Sequence, residues 1–246
     1  MDEKWSFVKK KEANCDPILD SRCGDNWDHV AFDPENRLVL SVVNGKRSQE
    51  HVREMLDDVK RIMDSRVPRL IMTDEYSAYK TEILRTYGIL MPVPRRSPLG
   101  RAPAPILLPP PELVYATVHK TRKNGTVVKV ETRLQFGTSE QLDAALKASK
   151  VNRKVNTAFI ERHNGTDRHK NSRKARKTYR FSKDWDIHNA VTKFSMYAYN
   201  FCWPVRTLRA QDGDGRYHPQ TPAMVAGLTD HVWSMREWAL FPVAMG

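Results

Sequence analysis

A proline-rich segment near the middle of the chain places the strongest constraint on its fold. Residues 91–111 include eight of the fifteen prolines. Proline fixes the backbone angle φ and has no N–H to donate, so this composition cannot sustain a helix or a central strand. We interpret residues 91–112 as an extended connector, which forms a surface excursion within one domain rather than a boundary between domains.

Short apolar runs before the connector predict strands. Trp5 and Phe7 share one face of a first strand, because alternate side chains of a strand point the same way. Residues 29–32 and 38–43 flank the sequence Asp-Pro-Glu-Asn, which favours a turn, and together they predict a hairpin. The polar residues 12–28 predict a loop.

A helix and a buried strand are predicted next. Residues 48–65 have Ser48 as a plausible N-cap. Residues 70–72 predict a short buried strand, and Asp74 follows it at the expected rim of an α/β sheet. An acid at this position is well placed for a functional site, and it could at the same time be the N-cap of the next helix. The apolar side chains of the first helix recur at helical spacing, at Val52, Met55, Leu56, Val59, Ile62 and Met63.

A second hairpin is predicted after the connector. Residues 115–119 and 127–136 have strand character, and Asn124 with Gly125 favours a tight turn between them. The basic residues beside this turn either contact DNA or protect an edge strand; they are Lys120, Arg122 and Lys123.

Helical patterns complete the chain. Residues 139–148 predict a short helix capped by Ser139. Two small helices are expected near the C-terminus, one beginning at Thr221 and Pro222 and one within residues 229–240. Residues 184–201 predict a long packing helix with an apolar stripe at Ile187, Val191, Phe194, Tyr197, Ala198 and Phe201.

The segment 155–183, VNTAFIERHNGTDRHKNSRKARKTYRFSK, concentrates positive charge. Residues 151–184 contain 11 Lys and Arg against 3 Asp and Glu, a net +8 of the chain's +12. This clustering favours a polyanionic partner, with a solvated basic surface as the alternative. In a helix, Glu161, Asn164 and Arg168 would share one face. An acid bordered by phosphate-binding side chains suggests metal-assisted chemistry on nucleic acid.

The same segment resembles a known family. NTAFIERHNGTDRH and SRKARKTYRFSK are similar to the third-acid region of insertion-sequence-one type transposases, which are DDE transposases with a ribonuclease H-like fold. MDEKWSFVKKK, LIMTDEYSAYK and TPAMVAGLTDHVW resemble other parts of these proteins, in the same order. The resemblance implies an α/β fold in which helices flank a mixed central sheet.

The resemblance also implies the site. Asp2, Asp74 and Glu161 would be the catalytic carboxylates and would hold two Mg²⁺ or Mn²⁺ ions. We interpret Asp33 as a turn acid and leave Asp28 open as an additional metal contact. Residues expected to contact the DNA end or its phosphates are Arg162, His163, Asn164, Arg168, Arg173, Lys174, Arg176, Lys177, Arg180 and Lys183. Tyr179 and Phe181 would either stack on a base or pack in the core.

The resemblance further implies what the protein does. Residues 1–203 would form the catalytic domain and residues 204–246 a small helical tail. The expected activity is DNA cleavage at transposon ends followed by strand transfer into target DNA, by a homo-oligomer in a prokaryotic cytoplasm, associated with the nucleoid. The family usually carries an N-terminal DNA-binding segment, which we expect this sequence to lack.

Two departures from the family pattern keep alternatives open. Gly165 and Asp167 replace apolar residues after the Glu-Arg-His-Asn motif, and Val205 stands where a histidine is common. Glycine costs a helix about 1 kcal/mol relative to alanine. The alternatives are an inactive remnant that only binds DNA and a nuclease without strand transfer.

Composition excludes other classes of protein. No apolar run approaches the length of a membrane span, which is about 18 residues or more. The three cysteines, Cys15, Cys23 and Cys202, provide neither a disulfide framework nor a paired zinc motif.

Overall fold

The computed structural model describes residues 1–95 and 103–242, and it is a mixed α/β structure with small sheets. Part of the predicted connector, residues 96–102, lies outside the described residues. In chain order the elements are β1 (Asp2–Val8), β2 (Gly24–Asp33), β3 (Leu38–Gly45), α1 (Gln49–Ile62), β4 (Ile71–Thr73), α2 (Ser77–Tyr87), β5 (Ile89–Met91), β6 (Ile106–Leu108), β7 (Tyr115–Lys123), β8 (Thr126–Phe136), α3 (Ser139–Ala148), α4 (Ala158–Lys170), α5 (Trp185–Cys202), β9 (Ala210–Gln211), β10 (Tyr217–His218), α6 (Pro222–Val225) and α7 (Met235–Leu240).

The chain divides into two compact units, and the first comprises Met1–Asp2 and Arg47–Thr157. Its three-stranded sheet has the order β4-β7-β8, with β4 parallel to β7 and β7 antiparallel to β8. The amino group of Met1 donates a hydrogen bond to the carbonyl oxygen of Met72, at 2.8 Å. The first two residues therefore lie beside β4.

Helix α1 of the first unit begins after Ser48, as predicted. Ser48 has the extended backbone of an N-cap, but its hydroxyl contacts Nδ1 of His51 rather than a backbone N–H. Ile62, predicted to face the core, is 48% exposed, because it is the last residue of the helix. The buried face carries Val52, Met55, Leu56 and Val59, as predicted.

The predicted hairpin of β7 and β8 is confirmed. Its turn residues have positive φ, 50° at Asn124 and 78° at Gly125, which suits a tight two-residue turn. The predicted cap of α3 is off by one residue. Thr138 accepts a hydrogen bond from the backbone N–H of Gln141, and the Gln141 side chain reciprocates, so Ser139 is the first helical residue.

The second unit comprises Glu3–Lys46 and Ala158–Gly246, and its main sheet has the order β1-β2-β3. The predicted hairpin is confirmed as antiparallel β2 and β3. Asp33 is confirmed as a turn acid, because its carboxylate accepts from the backbone N–H of Glu35 at 2.8 Å and the amide of Asn36 at 2.6 Å. Strand β2 begins already at Gly24, so the predicted loop over residues 12–28 is too long. The inward-facing side chains of this part of β2 are the polar Asn26 and Asp28, so the sequence has no alternation of apolar and polar residues there.

The predicted apolar stripe of α5 is confirmed only in part. Ala198 is buried and Tyr197 packs against a core cluster, but two members of the stripe are exposed. Ile187 is 51% exposed and Phe194 is 43% exposed. Asp184 caps the helix by accepting from two backbone N–H groups, as the predicted start requires. The buried side chains are mostly polar. Four of them lie about one turn apart, at His188, Thr192, Met196 and Asn200, and the fifth is Ala198. Helix α5 therefore presents a polar face to the interior.

The tail of the second unit packs on the end of α5. The Phe201 ring lies 4.8 Å from that of Trp233 and 5.5 Å from that of Trp238, between centroids. Thr221 caps α6 by accepting from Met224, as predicted, and Ser234 caps α7 in a reciprocal pair with Glu237. Within the described ranges, no helix has the length and apolar character needed to cross a membrane.

Candidate functional site

Two of the predicted carboxylates come together in the first unit. Asp2 is the first residue of β1, and Asp74 directly follows β4. Their carboxylate oxygens lie within 4.8 Å of each other. The hydrogen bond from the Met1 amino group to the Met72 carbonyl oxygen holds the start of the chain beside β4. Met72 lies two residues before Asp74 in sequence, so Asp2 comes close to Asp74. Both side chains are half-buried, so solvent reaches them.

The end of β4 holds Asp74 in place. Asp74 Oδ1 accepts a hydrogen bond from the backbone N–H of Tyr76 at 3.2 Å. The N-cap of α2 is Tyr76, so the prediction that Asp74 caps this helix is wrong. The Thr73 hydroxyl lies 2.9 Å from that of Tyr115 on β7, which joins the end of β4 to its neighbour.

Arg47 provides positive charge beside this pair. Its Nη2 lies 4.0 Å from Asp74 Oδ2, and its guanidinium lies over the Tyr76 ring, 4.4 Å from the centroid. The Tyr76 hydroxyl donates to the Arg47 carbonyl oxygen at 3.1 Å. These contacts fix the backbone of Arg47 near Asp74 and offset part of the charge of the acid.

Glu75, the acid next to Asp74, is occupied by other partners. Its carboxylate accepts from Nη1 of Arg133 on β8 at 2.8 Å and contacts Nδ1 of His119 on β7. The ion pair with Arg133 directs Glu75 along the sheet surface, so Asp74 and not Glu75 is the acid that accompanies Asp2.

The donor chemistry of the Asp2 and Asp74 pair fits a hard divalent cation. Mg²⁺ and Mn²⁺ prefer carboxylate oxygens and retain several waters, which a half-exposed site permits. Thiolate or imidazole ligands, which favour zinc, do not belong to the acid cluster found among the described residues. Glu3 follows Asp2 in β1 and was not predicted as a site residue.

Glu161 lies in the second unit, on the exposed side of α4. The predicted face of Glu161, Asn164 and Arg168 is not a single exposed face, because Asn164 is buried. The buried stripe of α4 is Ile160, His163, Asn164 and Asp167. Gly165 lies opposite this stripe with open space around it, and α4 continues through it to Lys170.

His163 is buried between two aromatic rings. Its ring centroid lies 4.9 Å from that of Phe32 and 4.6 Å from that of Tyr199. Burial lowers the pKa of His163 to about 4, so the imidazole is neutral at physiological pH. The predicted DNA contact of His163 is therefore corrected to a packing role.

A network of buried charges occupies the interior of the second unit. Lys174 Nζ lies 2.6 Å from Asp28 Oδ2 and 3.9 Å from Asp167 Oδ2. Lys4 Nζ lies 3.3 Å from Asp28 Oδ2 and donates to Asp167. All four side chains are at most 3% exposed. Two lysines and two aspartates thus balance one another, and we name these four residues the buried quartet.

Amide groups complete the hydrogen bonding of Asp28. Its Oδ1 accepts from the side-chain amides of Asn26 at 2.9 Å and Asn44 at 2.5 Å. Burial by itself raises the pKa of Asp28, but Lys174 and Lys4 outweigh it and hold the pKa below its usual range. Asp28 is thus a structural ion, which corrects its possible role as a metal contact.

The predicted DNA-binding residues separate into two groups. His163, Asn164 and Lys174 are buried, so their predicted contacts with DNA are wrong in this conformation. Lys174 is buried because Asp28 and Asp167 offer it two carboxylates. The others lie at the surface, fully or half exposed: Arg162, Arg168, Arg173, Arg176, Lys177, Arg180 and Lys183.

The segment after α4 presents these cations to solvent. It returns to β1, where Ser182 forms a parallel bridge with Val8 and its carbonyl oxygen accepts from the N–H of Lys9 at 2.6 Å. Tyr179 is 97% exposed, which excludes core packing for this ring. Phe181 instead packs 5.1 Å from Phe7. The basic segment is therefore anchored at both ends, by Lys174 and by Ser182.

His188 makes the stability of this unit depend on pH. It faces Asp28, Lys174, Lys4 and Asp167, and its Nδ1 lies 2.8 Å from the Ser182 hydroxyl. Burial, followed by the charge of Lys174, lowers the pKa of His188 from 6.5 to about 4. Between these values the unfolded chain takes up a proton that the native state does not. The contribution of His188 to the free energy of unfolding is therefore complete above about pH 6.5. It falls by about 3 kcal/mol as the pH decreases toward 4.

This pH dependence is measurable by urea unfolding between pH 4 and pH 7. We expect His188→Gln to make the dependence of stability on pH less steep and to leave the part due to His163, whose pKa is also lowered to about 4. His218→Gln, at an exposed position, should leave the dependence unchanged. Equal slopes for the wild type and His188→Gln would show that the histidine does not titrate differently in the two states.

No family model, curated protein or solved structure matches this chain. The functional assignment therefore relies on the residues of the chain and on their geometry.

Proposed function

We propose that this chain is the catalytic part of a DDE-type transposase, which cleaves DNA at transposon ends and joins the ends to target DNA. The observation that carries this proposal is the proximity of Asp2 and Asp74, whose carboxylate oxygens lie within 4.8 Å of each other. These two acids belong to separate motifs of the resemblance. A ribonuclease H-like fold is part of the proposal, supported by the position of Asp2 in the first strand.

The chemistry suits the residues. A phosphodiester resists attack because it is anionic and because its leaving alkoxide is poor. Divalent ions, when bound, activate the nucleophile and stabilise the leaving oxygen. Asp2 and Asp74 would hold them, and Arg47 would limit repulsion between the two acids before binding. Glu161 enters the proposal through the resemblance alone.

The surface of the second unit supports DNA as the substrate. Seven predicted cations reach the surface on α4 and the segment after it; five are exposed, and Arg168 and Arg173 are partly buried. Lysine and arginine contacts with phosphates supply affinity that depends on salt and little on sequence. The first departure from the family pattern does not argue for an inactive remnant, because α4 continues through Gly165 and Asp167 is paired with Lys4. The second departure, Val205, still leaves that alternative open.

The test uses a DNA duplex that carries the inverted repeats flanking the gene. With Mg²⁺ or Mn²⁺, the protein should release a 3′-hydroxyl end and join it to a second duplex. Cleavage without joining would indicate a nuclease. Binding of DNA without binding of Mn²⁺, measured by calorimetry, would indicate a remnant that has lost its metal site.

Removal of exposed cations should weaken DNA binding in a manner that depends on salt. Arg176→Gln/Arg180→Gln removes two exposed charges. We expect the slope of log K against log salt to become shallower by about 1.8, because each phosphate contact contributes about 0.9. Fluorescence anisotropy with a labelled duplex measures this. The matched control Lys147→Ala/Lys150→Ala, also at exposed positions, should leave the slope unchanged.

A further inference from the structure

The end of the β7 and β8 hairpin projects from the first unit. Ten consecutive residues, 121–130, are exposed, whereas residues 115–118 at the start of β7 are buried. The valines of β8 near the turn are exposed to solvent: Val128 is 58% exposed and Val130 is 60% exposed. We name residues 120–130 the basic arm. A two-stranded ribbon without a third strand or a helix is marginally stable in water, so an exposed arm of this length would be stabilised by a partner that covers it.

The charges of the arm have one sign. Residues 120–130 contain four cations and no acid. Glu131, at the base of the arm, forms an ion pair with Lys129 at 2.8 Å. The cations nearest the turn are Arg122 and Lys123, and both are exposed. A partner with negative charge is therefore favoured.

The register of the strands distributes these cations over both faces of the ribbon. Arg122 pairs with Val127 and Lys123 pairs with Thr126. Paired residues share a face and neighbouring residues alternate, so Arg122 and Lys123 point to opposite faces. A ribbon that is positive on both faces matches a groove with phosphates on both walls. The major groove of duplex DNA is about 12 Å wide and admits a two-stranded ribbon.

A second copy of the chain is the less suitable occupant. Strand β8 is at the edge of its sheet and has exposed valines, which could pair with another edge. An antiparallel copy would, however, bring the cations of one arm beside those of the other, and charged edges of this kind oppose pairing.

We propose that the basic arm inserts into a groove of duplex DNA and contacts phosphates on both sides through Arg122 and Lys123. This assignment rests on the proposed function and adds a DNA-contacting element that is separate in sequence from the basic segment after α4. Lys129 is paired with Glu131 and would contribute less than a full phosphate contact.

The test is DNA binding in the Asp74→Asn background, which separates binding from cleavage. Arg122→Ala/Lys123→Ala should make the slope of log K against log salt shallower by about 1.8. Arg122→Lys/Lys123→Arg, which keeps both charges, should restore the slope. The control Lys147→Ala/Lys150→Ala removes two charges elsewhere in the same unit. Circular dichroism checks that each variant is folded.

The outcomes separate the arm from the wider function. If only Arg176→Gln/Arg180→Gln changes the slope, the arm proposal is overturned while the DNA-binding function stands. If neither variant changes it, both are overturned. If sedimentation shows that Arg122→Ala/Lys123→Ala turns a monomer into a dimer, with an unchanged slope, the charges only prevent edge pairing and the arm proposal is again overturned.

Discussion

Asp74→Asn is expected to abolish metal-dependent DNA cleavage while leaving salt-sensitive DNA binding nearly intact. The amide keeps the shape of the side chain and the hydrogen bond from the backbone of Tyr76, but it removes the negative charge that attracts a cation. A metal ion stabilises a phosphoryl transition state by several kcal/mol, so the rate of cleavage should fall by about a thousandfold or more. Single-turnover cleavage of a labelled duplex measures the change.

The control for this prediction is Asp143→Asn, the same chemical change at an exposed position of α3. It should cleave at the wild-type rate. Asp2→Asn should match Asp74→Asn, and the double variant should lose little more, because residues that act as one unit are not additive. Cleavage by Asp74→Asn at the rate of Asp143→Asn would exclude Asp74 as a ligand.

Lys174→Met is expected to lower the free energy of unfolding by about 3–5 kcal/mol, since it leaves a buried charge without compensation. Asp28 would retain Lys4 at 3.3 Å, but Lys4 also serves Asp167, so three charges would remain where four balanced. Urea unfolding followed by circular dichroism measures the loss. Lys183→Met, at an exposed position, should change stability by no more than about 0.5 kcal/mol.

The double variant Asp28→Asn/Lys174→Met tests whether charge balance is the cause. It leaves Lys4 and Asp167 as a balanced pair, and the new amide can still accept from Asn26 and Asn44. We expect it to be more stable than Lys174→Met alone. A double variant that loses the sum of the two single effects would show that the side chains contribute by packing rather than by balanced charge.

The sequence predicted the elements whose buried faces are apolar. The β2 and β3 hairpin, helix α1 and the β7 and β8 hairpin have regular apolar spacing or a turn with a clear residue signature, and the structure has each of them. The strand before Asp74 was predicted for the same reason. Local patterns suffice where the hydrophobic effect selects the buried face.

The interior of the second unit could not be predicted in this way. Helices α4 and α5 bury His163, Asp167, His188 and Asn200, so their apolar residues do not mark the inner face. Lys174 was taken for a phosphate contact because its neighbours in sequence are basic. Its partner Asp28 is 146 residues away, and only the folded chain brings the two together. An analysis of hydrophobic periodicity alone cannot predict a buried ion pair.

Part of the candidate site could likewise be predicted from the sequence and part could not. Asp74 was identifiable because it ends an apolar strand, whereas the proximity of Asp2 depends on a backbone hydrogen bond from Met1, which leaves no trace in side-chain patterns. The outward direction of Glu161 follows from the polar stripe on the opposite side of α4.

The buried quartet also limits how this sequence can change over generations. Lys4, Asp28, Asp167 and Lys174 come from distant parts of the chain, yet a neutral replacement at one of them leaves a neighbour with uncompensated charge. A substitution at one of these four positions is therefore expected to persist only with a second substitution that restores the charge balance of the quartet. The exposed cations at Arg176 and Arg180 are not bound by this requirement, because no buried partner would be left with an unbalanced charge.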